Sequence, residues 1–416
     1  MNRKTILVSA YGCEPFRGSE AGVGWNWILQ MAHCCDLHVI ARSNDKKKIE
    51  LNMPQDLSEH IVFHYYDCPF LMRFKHGNRG LYFYYFFWQL GILRIAKAII
   101  RQYRIDYTMH LTFGSYWMPT FLPFLQKPFI YGPMGGGDVV PISLMAALPF
   151  KEKLIRLLAI ALVRTSYLNP LVVFPCKKAS VILCRTENNR LVIPKRYRHK
   201  ARIILETAIE DEVIAYGVNN HFRIKDSANV KIIMSGRLVP FKNVEMGLRA
   251  FASVHKVMPN VELCIVGDGP CMCNLRQSAA KLGLAQLVTF AGRLERKEAL
   301  FQMRNSDIFL FPSLREGGSW ALLEGMSVGL PVVCLDWTGM HDIMTPECGF
   351  MISPATYKQT LASMTEALSL LVSDSQLRRQ MGNAAHVRVA SCFRWESKGH
   401  FFKDLMSELE RQDNEA

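Results

Sequence analysis

Two glutamates bracket a glycine pair and a mostly apolar run in the segment Arg315–Gly325, which reads REGGSWALLEG. The preceding stretch IFLFPS is typical of a buried strand, whereas the run Trp320–Val328, which stops at Gly329, predicts a helix with a glycine terminator. We therefore expect Glu316 in the loop before this helix and Glu324 one or more turns into it.

The residues between the two acids are suited to bind an anion. Gly317, Gly318 and Ser319 would present unencumbered backbone N–H groups at the helix N-terminus, which attracts a phosphate. Because a carboxylate accepts hydrogen bonds from hydroxyl groups, Glu316 could hold a sugar on one side of a diphosphate and Glu324 a ribose on the other. The pattern predicts a nucleotide-sugar site. The alternative is that Glu316 only caps the helix and Glu324 lies on the surface.

A second charged loop follows an earlier buried strand. Gly236 and Arg237 come directly after the run VKIIMS, and Lys242 lies five residues beyond Arg237, just before an amphipathic helix. Two cations at the carboxyl end of a strand can converge on a polyanion such as a diphosphate, although taken alone they could equally be solvated charges. The glycine-rich loop Gly12–Gly24 follows the first strand and is too long for a dinucleotide-binding fingerprint.

The elements that must position these loops form two series. Short β-rich runs alternate with helical stretches in each half, which is the pattern of a parallel sheet covered on both faces. The first half contains TILVSA, DLHVIA, IVFHYY, YTMHLT, PFIYG and SVILCR, and the second VKIIMSG, VELCIVG, LVTFAG, IFLFPS and PVVCLD. The predicted fold class is α/β, with two doubly wound, Rossmann-like domains. Such sheets bind ligands at the carboxyl ends of their strands, where the charged loops lie.

The predicted domain boundary lies near Leu205–Glu210, after the basic, irregular segment Ile193–Arg202. The first domain would span residues 1–206 and the second 207–391. We expect a final helix, Trp395–Leu409 within residues 392–416, to cross back to the first domain and the tail RQDNEA to fray.

The composition narrows the class of protein. A chain of 416 residues with 50% hydrophobic and 21% charged residues is globular and has room for two domains. Its net charge of +14 favours an anionic partner. The twelve cysteines contain no CxxC pair, so we expect neither a zinc ribbon nor a disulfide framework, and a reducing compartment fits best. We expect no signal peptide, and the apolar run Leu81–Leu93 is shorter than the roughly 18 residues that span a bilayer.

The motifs resemble those of the retaining, GT-B-fold glycosyltransferases known as glycosyl transferases group 1. The resemblance covers Ile232–Asp342 and rests on GR followed by KN, VGDGP, FAG, FPS leading into the two glutamates, and GLPVV. The amino-terminal half is similar to a bacterial surface-polysaccharide subgroup through AYGCEPFRGSEAGVGWNW, HLTFGSYWMP and PFIYGPMGGG. The resemblance implies that the two domains face each other across a cleft.

The resemblance also implies transfer of a sugar from a nucleoside diphosphate donor to an acceptor hydroxyl, with retention at the anomeric carbon and no cofactor or metal. Arg237 and Lys242 would bind the diphosphate and stabilise its charge. Glu316 would hold the donor sugar, and Glu324 the ribose.

The same resemblance implies roles for several residues of the first half. Gly18 and Ser19 would approach the diphosphate or the acceptor, and His110 would lie near the donor sugar, although a histidine at a strand end is more often structural. The glycines of Gly135–Gly137 are either on the acceptor side or required for packing.

The chemistry expected at such a site needs no metal ion. Departure of a diphosphate develops negative charge, which fixed cations and helix N–H groups stabilise. No DxD pair follows a strand, as a magnesium site would require, and no second carboxylate is evident as a nucleophile. We therefore expect a front-face transfer in which the leaving phosphate accepts the acceptor's proton. Two rivals stay open: a sugar-nucleotide epimerase of similar two-domain fold, and a non-catalytic polyanion-binding protein, although no nucleic-acid recognition motif is present.

Two segments depart from the pattern of the family. Glu206–Glu210 stands where an Asn-Gly pair is common, and Trp337–Asp342 replaces a glycine-rich turn and acid. Trp337 and His341 could therefore reshape the donor-sugar pocket.

Basic residues alternate with apolar ones in two further segments. The residues are Lys75, Arg79, Arg94, Lys97, Arg101 and Arg104 in the first, and Lys151, Lys153, Arg156 and Arg164 beside LLAIALV in the second. Such segments can lie on an anionic leaflet, but they could also be ordinary helices that cover a sheet. We expect a cytoplasmic enzyme, peripheral on the inner face of the plasma membrane, with a lipid-linked glycan as acceptor.

Overall fold

A computed structural model describes residues 3–72, 80–218 and 229–415. Its strands are β1 (Lys4–Ala10), β2 (Cys35–Ala41), β3 (Ile61–Tyr65), β4 (Tyr107–His110), β5 (Phe129–Met134), β6 (Ala179–Cys184), β7 (Ala201–Ile203), β8 (Val230–Ser235), β9 (Val261–Val266), β10 (Val288–Gly292), β11 (Ile308–Phe311), β12 (Val332–Leu335) and β13 (Gly349–Ile352).

The helices alternate with these strands along the chain. They are α1 (Glu20–Ala32), α2 (Lys46–Leu51), α3 (Pro69–Met72), α4 (Leu81–Gln102), α5 (Phe150–Arg164), α6 (Pro170–Lys178), α7 (Glu187–Val192), α8 (Asp211–Val218), α9 (Val244–Val257), α10 (Met272–Lys281), α11 (Arg296–Arg304), α12 (Trp320–Ser327), α13 (Gly339–Ile343), α14 (Tyr357–Ser373), α15 (Ser375–Cys392) and α16 (Trp395–Glu415).

The chain forms two compact units, each built on one parallel sheet. The first unit comprises Met1–Gly137, Ala161–Glu206 and Trp395–Ala416, and the second Asp138–Ile160 and Thr207–Arg394. The strand order is β3-β2-β1-β4-β5-β6-β7 in the first sheet and β10-β9-β8-β11-β12-β13 in the second. The predicted α/β class with two doubly wound sheets is therefore confirmed. The order reverses beside β1 and β4 in one sheet, and beside β8 and β11 in the other.

All eleven strands predicted from the sequence are present, but two edge strands were missed. The segment Ile193–Arg202 was interpreted as irregular, and that interpretation was wrong at its end, where Ala201 and Arg202 belong to β7. β13 was not predicted either. Both strands are only three or four residues long, and each is recognisable through its pairing with a neighbour, β6 or β12.

Helix α4 covers the first sheet with an aromatic face. Its buried residues Tyr84, Tyr85, Trp88, Ile92 and Ile99 recur at helical spacing, and most of the large side chains between them are exposed. The apolar run Leu81–Leu93 is part of this longer helix, which has 22 residues and ends at Gln102. By length and composition alone this helix could cross a membrane. The core helices of water-soluble proteins pass the same test.

The last helix, α16, packs against α1 within the first unit. Phe402 is fully buried, with its ring centroid 6.5 Å from that of Trp27. The indole of Trp27 donates a hydrogen bond to the carbonyl of Glu206 (2.9 Å). The helix continues to Glu415, so the expectation that the tail frays from Arg411 was wrong for the residues described.

Two histidines on neighbouring strands share a hydrogen bond. Nδ1 of His38 in β2 lies 3.0 Å from Nε2 of His64 in β3, and the ring of Tyr103 lies 4.2 Å from that of His38. Burial lowers the pKa of both imidazoles, and the neighbouring His38 lowers that of His64 further, whereas Asp36 opposes the shift of His38.

Truncating Phe402 should destabilise the first unit. Phe402→Ala removes a fully buried ring and leaves a cavity against α1, so we expect a loss of about 4 kcal/mol in the free energy of unfolding. Phe301→Ala, at a position that is 55% exposed, is the matched control and should change it by less than about 0.5 kcal/mol. Denaturant unfolding measures both, and equal effects would contradict the packing described.

The histidine pair should make stability depend on pH. Because both folded-state pKa values lie below the ordinary 6.5, the native state binds fewer protons than the unfolded state. The stabilisation is complete above pH 6.5 and is lost as the pH falls through the lowered values. Unfolding measured between pH 7.5 and 5 should show a shallower decline for His64→Gln than for the wild type. His33→Gln, at an exposed position, should retain the wild-type slope, and an unchanged slope in His64→Gln would refute the prediction.

Candidate functional site

The site of the second unit lies where the strand order reverses, at the carboxyl ends of β8 and β11. The loop after β8 contains Gly236, Arg237 and Lys242, and the loop after β11 contains Glu316. Since β8 and β11 are paired neighbours, two loops that are more than 70 residues apart in sequence meet at one edge of the sheet. Ligands of open α/β sheets bind at this position.

Lys242 and Glu316, both predicted site residues, form an ion pair. Nζ of Lys242 contacts Oε1 of Glu316, and both side chains are largely buried. The hydroxyl of Ser313 donates to the same carboxylate oxygen (2.6 Å), and the ammonium lies 5.1 Å from the ring centroid of Phe311. The carboxylate is therefore held from two sides, and the cation is placed at the strand end without help from a ligand.

The loop that carries Arg237 is fixed by its own backbone. Leu238 N–H donates to the carbonyl of Asp268 (2.9 Å), and Gly236 has a φ of 147°, a conformation that favours glycine. A Cβ on Gly267 would lie 1.9 Å from the carbonyl oxygen of Gly236, so only glycine permits the two loops to approach this closely. The guanidinium of Arg237 has no hydrogen-bond or ion-pair partner among the described residues, and the side chain is exposed. Its cation is thus free to bind an anion.

The glycine pair precedes helix α12, as predicted. Glu316 N–H donates to the hydroxyl of Thr338 (3.0 Å), and Gly339 N–H donates to the carbonyl of Glu316 (3.0 Å). A Cβ on Gly339 would lie 1.9 Å from the carbonyl oxygen of Gly317, so α13 starts in contact with the loop. Ser319 is the N-cap of α12, and its hydroxyl accepts from Leu322 N–H at 3.4 Å.

Glu324 lies in α12, as predicted, and is nearly buried. Nε of Arg296 donates to Oε1 of Glu324 (2.6 Å), and the other two nitrogens of that guanidinium bind both carboxylate oxygens of Glu210 (3.0 and 2.7 Å). Burial raises the pKa of Glu324, and the charge of Arg296 opposes that shift. Burial alone would lower the pKa of Arg296, but its bonds to Glu210 and the charge of Glu324 raise it. Arg296 therefore orients one oxygen of Glu324 and compensates its charge.

Sequence reasoning missed Arg296 and the partner role of Glu210. Arg296 follows β10 and begins α11, so its position at a carboxyl strand end was a signal that could have found it. Glu210 lies 86 residues earlier, in the segment identified as the domain boundary and as a departure from the family pattern. No local pattern joins the two. Trp320 extends the cluster, because Arg296 lies 5.3 Å from its ring centroid and its indole donates to the carbonyl of Ala208 (2.7 Å).

In the segment Trp337–Asp342, which departs from the family pattern, the side chains of Trp337 and His341 both form hydrogen bonds. The indole of Trp337 donates to the carbonyl of Val139 (2.7 Å), in the stretch Asp138–Ile160 that belongs to this unit. Nδ1 of His341 lies 2.5 Å from Asp336, and this hydrogen bond raises the pKa of His341, whose side chain is mostly exposed.

In the first unit, Gly18 and Ser19 lie in the loop after β1, and both are exposed. Ser19 directly precedes α1 with a φ of 69°, a left-handed conformation that costs energy for a side chain with a Cβ. The buried carboxylate of Glu14 anchors this loop through ion pairs with Arg17 and Lys48. The loop is therefore well fixed, and it lies at the carboxyl edge of the first sheet.

His110 ends β4 at the same edge, but its ring is buried. Burial lowers the pKa of His110 to about 4, so the imidazole is neutral near pH 7. Its Nδ1 has no hydrogen-bond partner among the described residues. A neutral imidazole can donate a hydrogen bond to a hydroxyl or accept one from it, but it carries no positive charge.

The glycines of the second glycine loop are in close contact with their surroundings. Gly137 N–H donates to Oδ1 of Asn189 (2.6 Å), and a Cβ on Gly137 would lie 2.5 Å from the carbonyl oxygen of Asn188. Gly136 has a φ of 104°, and its carbonyl accepts from the indole of Trp117 (2.9 Å). Packing and backbone conformation therefore explain why Gly136 and Gly137 are glycines.

Comparisons with known proteins identify a matching sequence family and a fold. Residues 219–388 match the family described as Glycosyl transferases group 1. A GDP-mannose-dependent monoacylated alpha-(1-6)-phosphatidylinositol monomannoside mannosyltransferase of Corynebacterium glutamicum is 28% identical over 182 residues, which is 42% of this chain and 46% of that protein. The chain thus spans less than half the length of this curated relative.

Solved structures match over nearly the whole chain at low identity. Anabaena HepE in complex with UDP has a TM-score of 0.59 at 14% identity, with 97% of this chain and 100% of that chain covered. The lipopolysaccharide outer core galactosyltransferase WaaB, without ligand, has a TM-score of 0.62 at 14% identity, with 97% and 99% covered. This chain therefore has the GT-B fold of these structures, and its residues 219–388 match the glycosyl transferases group 1 family.

Proposed function

We propose that this protein is a retaining glycosyltransferase that moves a sugar from a nucleoside diphosphate donor to a hydroxyl of a glycan acceptor. The observation that carries the proposal is the meeting of Arg237, Lys242 and Glu316 at the switch point of the second sheet. The Corynebacterium relative is named as GDP-mannose-dependent, and HepE was solved with UDP, so nucleotide-linked donors occur among the similar proteins.

The donor would lie across the carboxyl ends of β8 and β11. Lys242 and Arg237 would bind the diphosphate, and the exposed guanidinium of Arg237 has no partner among the described residues. The backbone N–H group of Gly317 would add a hydrogen bond to the same phosphates, and Gly318 stays a predicted neighbour of them. Glu316 would then accept hydrogen bonds from the sugar hydroxyls, and Lys242 would share its charge between this carboxylate and the diphosphate.

The ribose end would be held by Glu324. Arg296 occupies Oε1 of this carboxylate, which leaves Oε2 to accept hydrogen bonds from the ribose hydroxyls. Glu316 and Glu324 are eight positions apart on either side of the N-terminus of α12, so sugar and ribose would flank the phosphates as the donor requires.

The transfer would proceed on one face of the sugar. The bond between the anomeric carbon and the diphosphate oxygen breaks while the acceptor oxygen bonds to the same carbon, and the acceptor proton passes to the leaving phosphate. Arg237 and Lys242 stabilise the charge that develops on the phosphate oxygens, in the role that a metal ion has in other enzymes. Gly18, Ser19 and His110 stay predicted ligands, at the edge of the first sheet where such folds bind substrates.

We further propose a lipid-linked glycan acceptor in surface-polysaccharide synthesis and a place on the cytoplasmic face of the membrane. Helix α5 supports this, because none of its side chains is buried and most of its large apolar residues are exposed beside Lys151 and Arg164. A helix that covers a sheet buries its apolar face, as α4 does. Arg156 is paired with Glu152 and does not add free charge, and Lys75 and Arg79 lie outside the described residues.

Two other functions make different predictions. A sugar-nucleotide epimerase of the same fold would isomerise the donor without an acceptor, and a polyanion-binding protein would bind nucleic acid and leave the donor unchanged. Incubation of the purified protein with UDP-, GDP- and ADP-sugars, followed by product analysis with and without acceptor glycans, separates the three. Protection against thermal unfolding identifies the donor first, since a ligand of the folded state raises stability.

Lys242→Ala should reduce transfer by at least about 100-fold, because the charge on the leaving diphosphate loses a fixed cation. The effect should appear in kcat at saturating donor. Lys256→Ala, at an exposed position on the helix that follows, is the control and should be neutral.

Chelation by EDTA should leave wild-type activity unchanged. Loss of activity in EDTA that added magnesium restores would refute metal-independent transfer.

Arg296→Gln should weaken donor binding and make it depend on pH. Without the guanidinium the buried carboxylate of Glu324 is uncompensated, so its pKa rises further and it protonates more readily. A protonated Glu324 accepts the ribose hydroxyls poorly, so the donor KM should fall as the pH rises from 6 to 8.5. The wild type should vary less over this range. Arg379→Ala, at an exposed position, is the control, and an unchanged KM profile in Arg296→Gln would show that Arg296 is only structural.

A further inference from the structure

A basic groove in the first unit lies outside the predicted donor site. The carboxyl end of α5 and the turn after it form one wall, and the segment that follows α7 forms the other. The groove has a volume of about 730 Å³. Its lining includes Arg164, Tyr167, Leu191, Lys195, Arg196 and Arg198.

The cations of this groove are not neutralised by nearby carboxylates. Between Lys153 and Leu205 the sequence has twelve lysines and arginines and one acid, Glu187, which is paired with Arg190. Within the described ranges, Arg164, Lys195 and Arg196 form no ion pair, and all three are exposed. Four positive side chains therefore surround a concave surface that attracts anions.

The walls of the groove are held in place by hydrogen bonds. Arg198 donates to the carbonyls of Ile193 (2.9 Å) and Leu191 (2.8 Å), which ties the segment after α7 into a compact turn. The hydroxyl of Ser166 donates to the carbonyl of Val192 (2.6 Å) and joins the two walls. The groove is thus a formed feature of the unit and does not depend on the exposed cations for its shape.

Large apolar side chains lie in the groove and next to it. Tyr167 and Leu191 line the groove and are 58% and 46% exposed, and Leu168, which follows Tyr167 in sequence, is 68% exposed. A groove for a soluble phosphate or for nucleic acid needs the charges but not an exposed leucine rim. An amphiphile with an anionic head and an apolar tail matches both features.

We propose that this groove binds the phosphate headgroup of an anionic phospholipid in a membrane surface, with Tyr167 and Leu168 inserted among the acyl chains next to it. The proposal rests on the membrane location given under the proposed function, and adds the site and the lipid class that would confer it. Tyrosine suits the border between headgroups and acyl chains, because its ring is apolar and its hydroxyl is polar.

The charged half of the proposal is tested with vesicles. The full-length protein is floated with vesicles of phosphatidylcholine alone and with vesicles that contain phosphatidylglycerol. Lys195→Gln combined with Arg196→Gln should weaken binding to the acidic vesicles by about 30-fold, since each basic residue near an anionic surface strengthens binding by about five-fold. Lys177→Gln combined with Lys178→Gln removes the same charge from exposed positions outside the groove, and should weaken binding far less.

The apolar half needs a second pair of variants. Leu168→Gln should weaken binding several-fold, and its effect should persist in high salt, which screens the cations but not apolar insertion. Leu370→Gln, at an exposed position in α14, is the matched control and should be neutral.

The outcomes separate this proposal from the proposed function. Equal losses in the two charge pairs would mean that net charge, not the groove, binds the membrane, and would overturn the inference. Loss of RNA binding without loss of vesicle binding in the groove variants would also overturn it, in favour of a nucleic-acid site. If the wild type binds no acidic vesicle, the membrane location itself fails, whereas stabilisation by a nucleotide sugar tests the transferase function independently.

Discussion

A carboxylate that leaves water needs a cation beside it, and this requirement organises the candidate site. Glu324 is almost buried and is compensated by Arg296, which Glu210 holds in turn. Glu316 is compensated by Lys242 and by a hydrogen bond from Ser313. Removing one member of either group would leave an unpaired charge in a poorly solvated position, which is far more costly than the pair itself is favourable. The groups that would handle a donor are therefore already oriented in the free protein.

Backbone contact supplies the second constraint. The loops around the site approach each other so closely that a Cβ at Gly267 or Gly339 would overlap a carbonyl oxygen. Such contacts help to place the loop that carries Arg237 and the loop that carries Glu316, in addition to the side-chain contacts of Lys242, Ser313 and Thr338. Electrostatic catalysis depends on charges that do not have to move when the reaction begins, and rigid loops at a sheet edge provide them.

Most of the positive charge of the chain lies outside the proposed donor site. Arg237 and Lys242 account for a small part of the net charge of +14, whereas the stretch from Lys153 to Leu205 holds a large part of it. That stretch includes exposed cations that line a groove bordered by leucine and tyrosine. The proposed donor binding therefore accounts for only a small part of the positive charge of the protein, and net charge alone does not indicate where the donor would bind.

The sequence predicted the local structure well. The strand runs are continuous apolar segments, so burial on both faces of a parallel sheet follows from composition, and eleven strands were found in this way. The position of Glu316 before α12 and of Glu324 within it follows from the covalent spacing between a strand, two glycines and a helix. The likeness to the family added the roles of Arg237 and Lys242, which their residue types suggest but do not specify.

The tertiary structure decided what no local pattern carries. β7 and β13 are edge strands that were not predicted from their own residues, and they are defined by their pairing with β6 and β12. Glu210 and Arg296 meet across 86 residues, and Lys242 and Glu316 across 74, because the order of strands brings their loops together. The burial of His110 and the groove beside Arg164 likewise depend on how distant elements pack. Periodicity and spacing act over a few residues, so the sequence by itself determines which elements form, and the path of the chain determines which side chains meet.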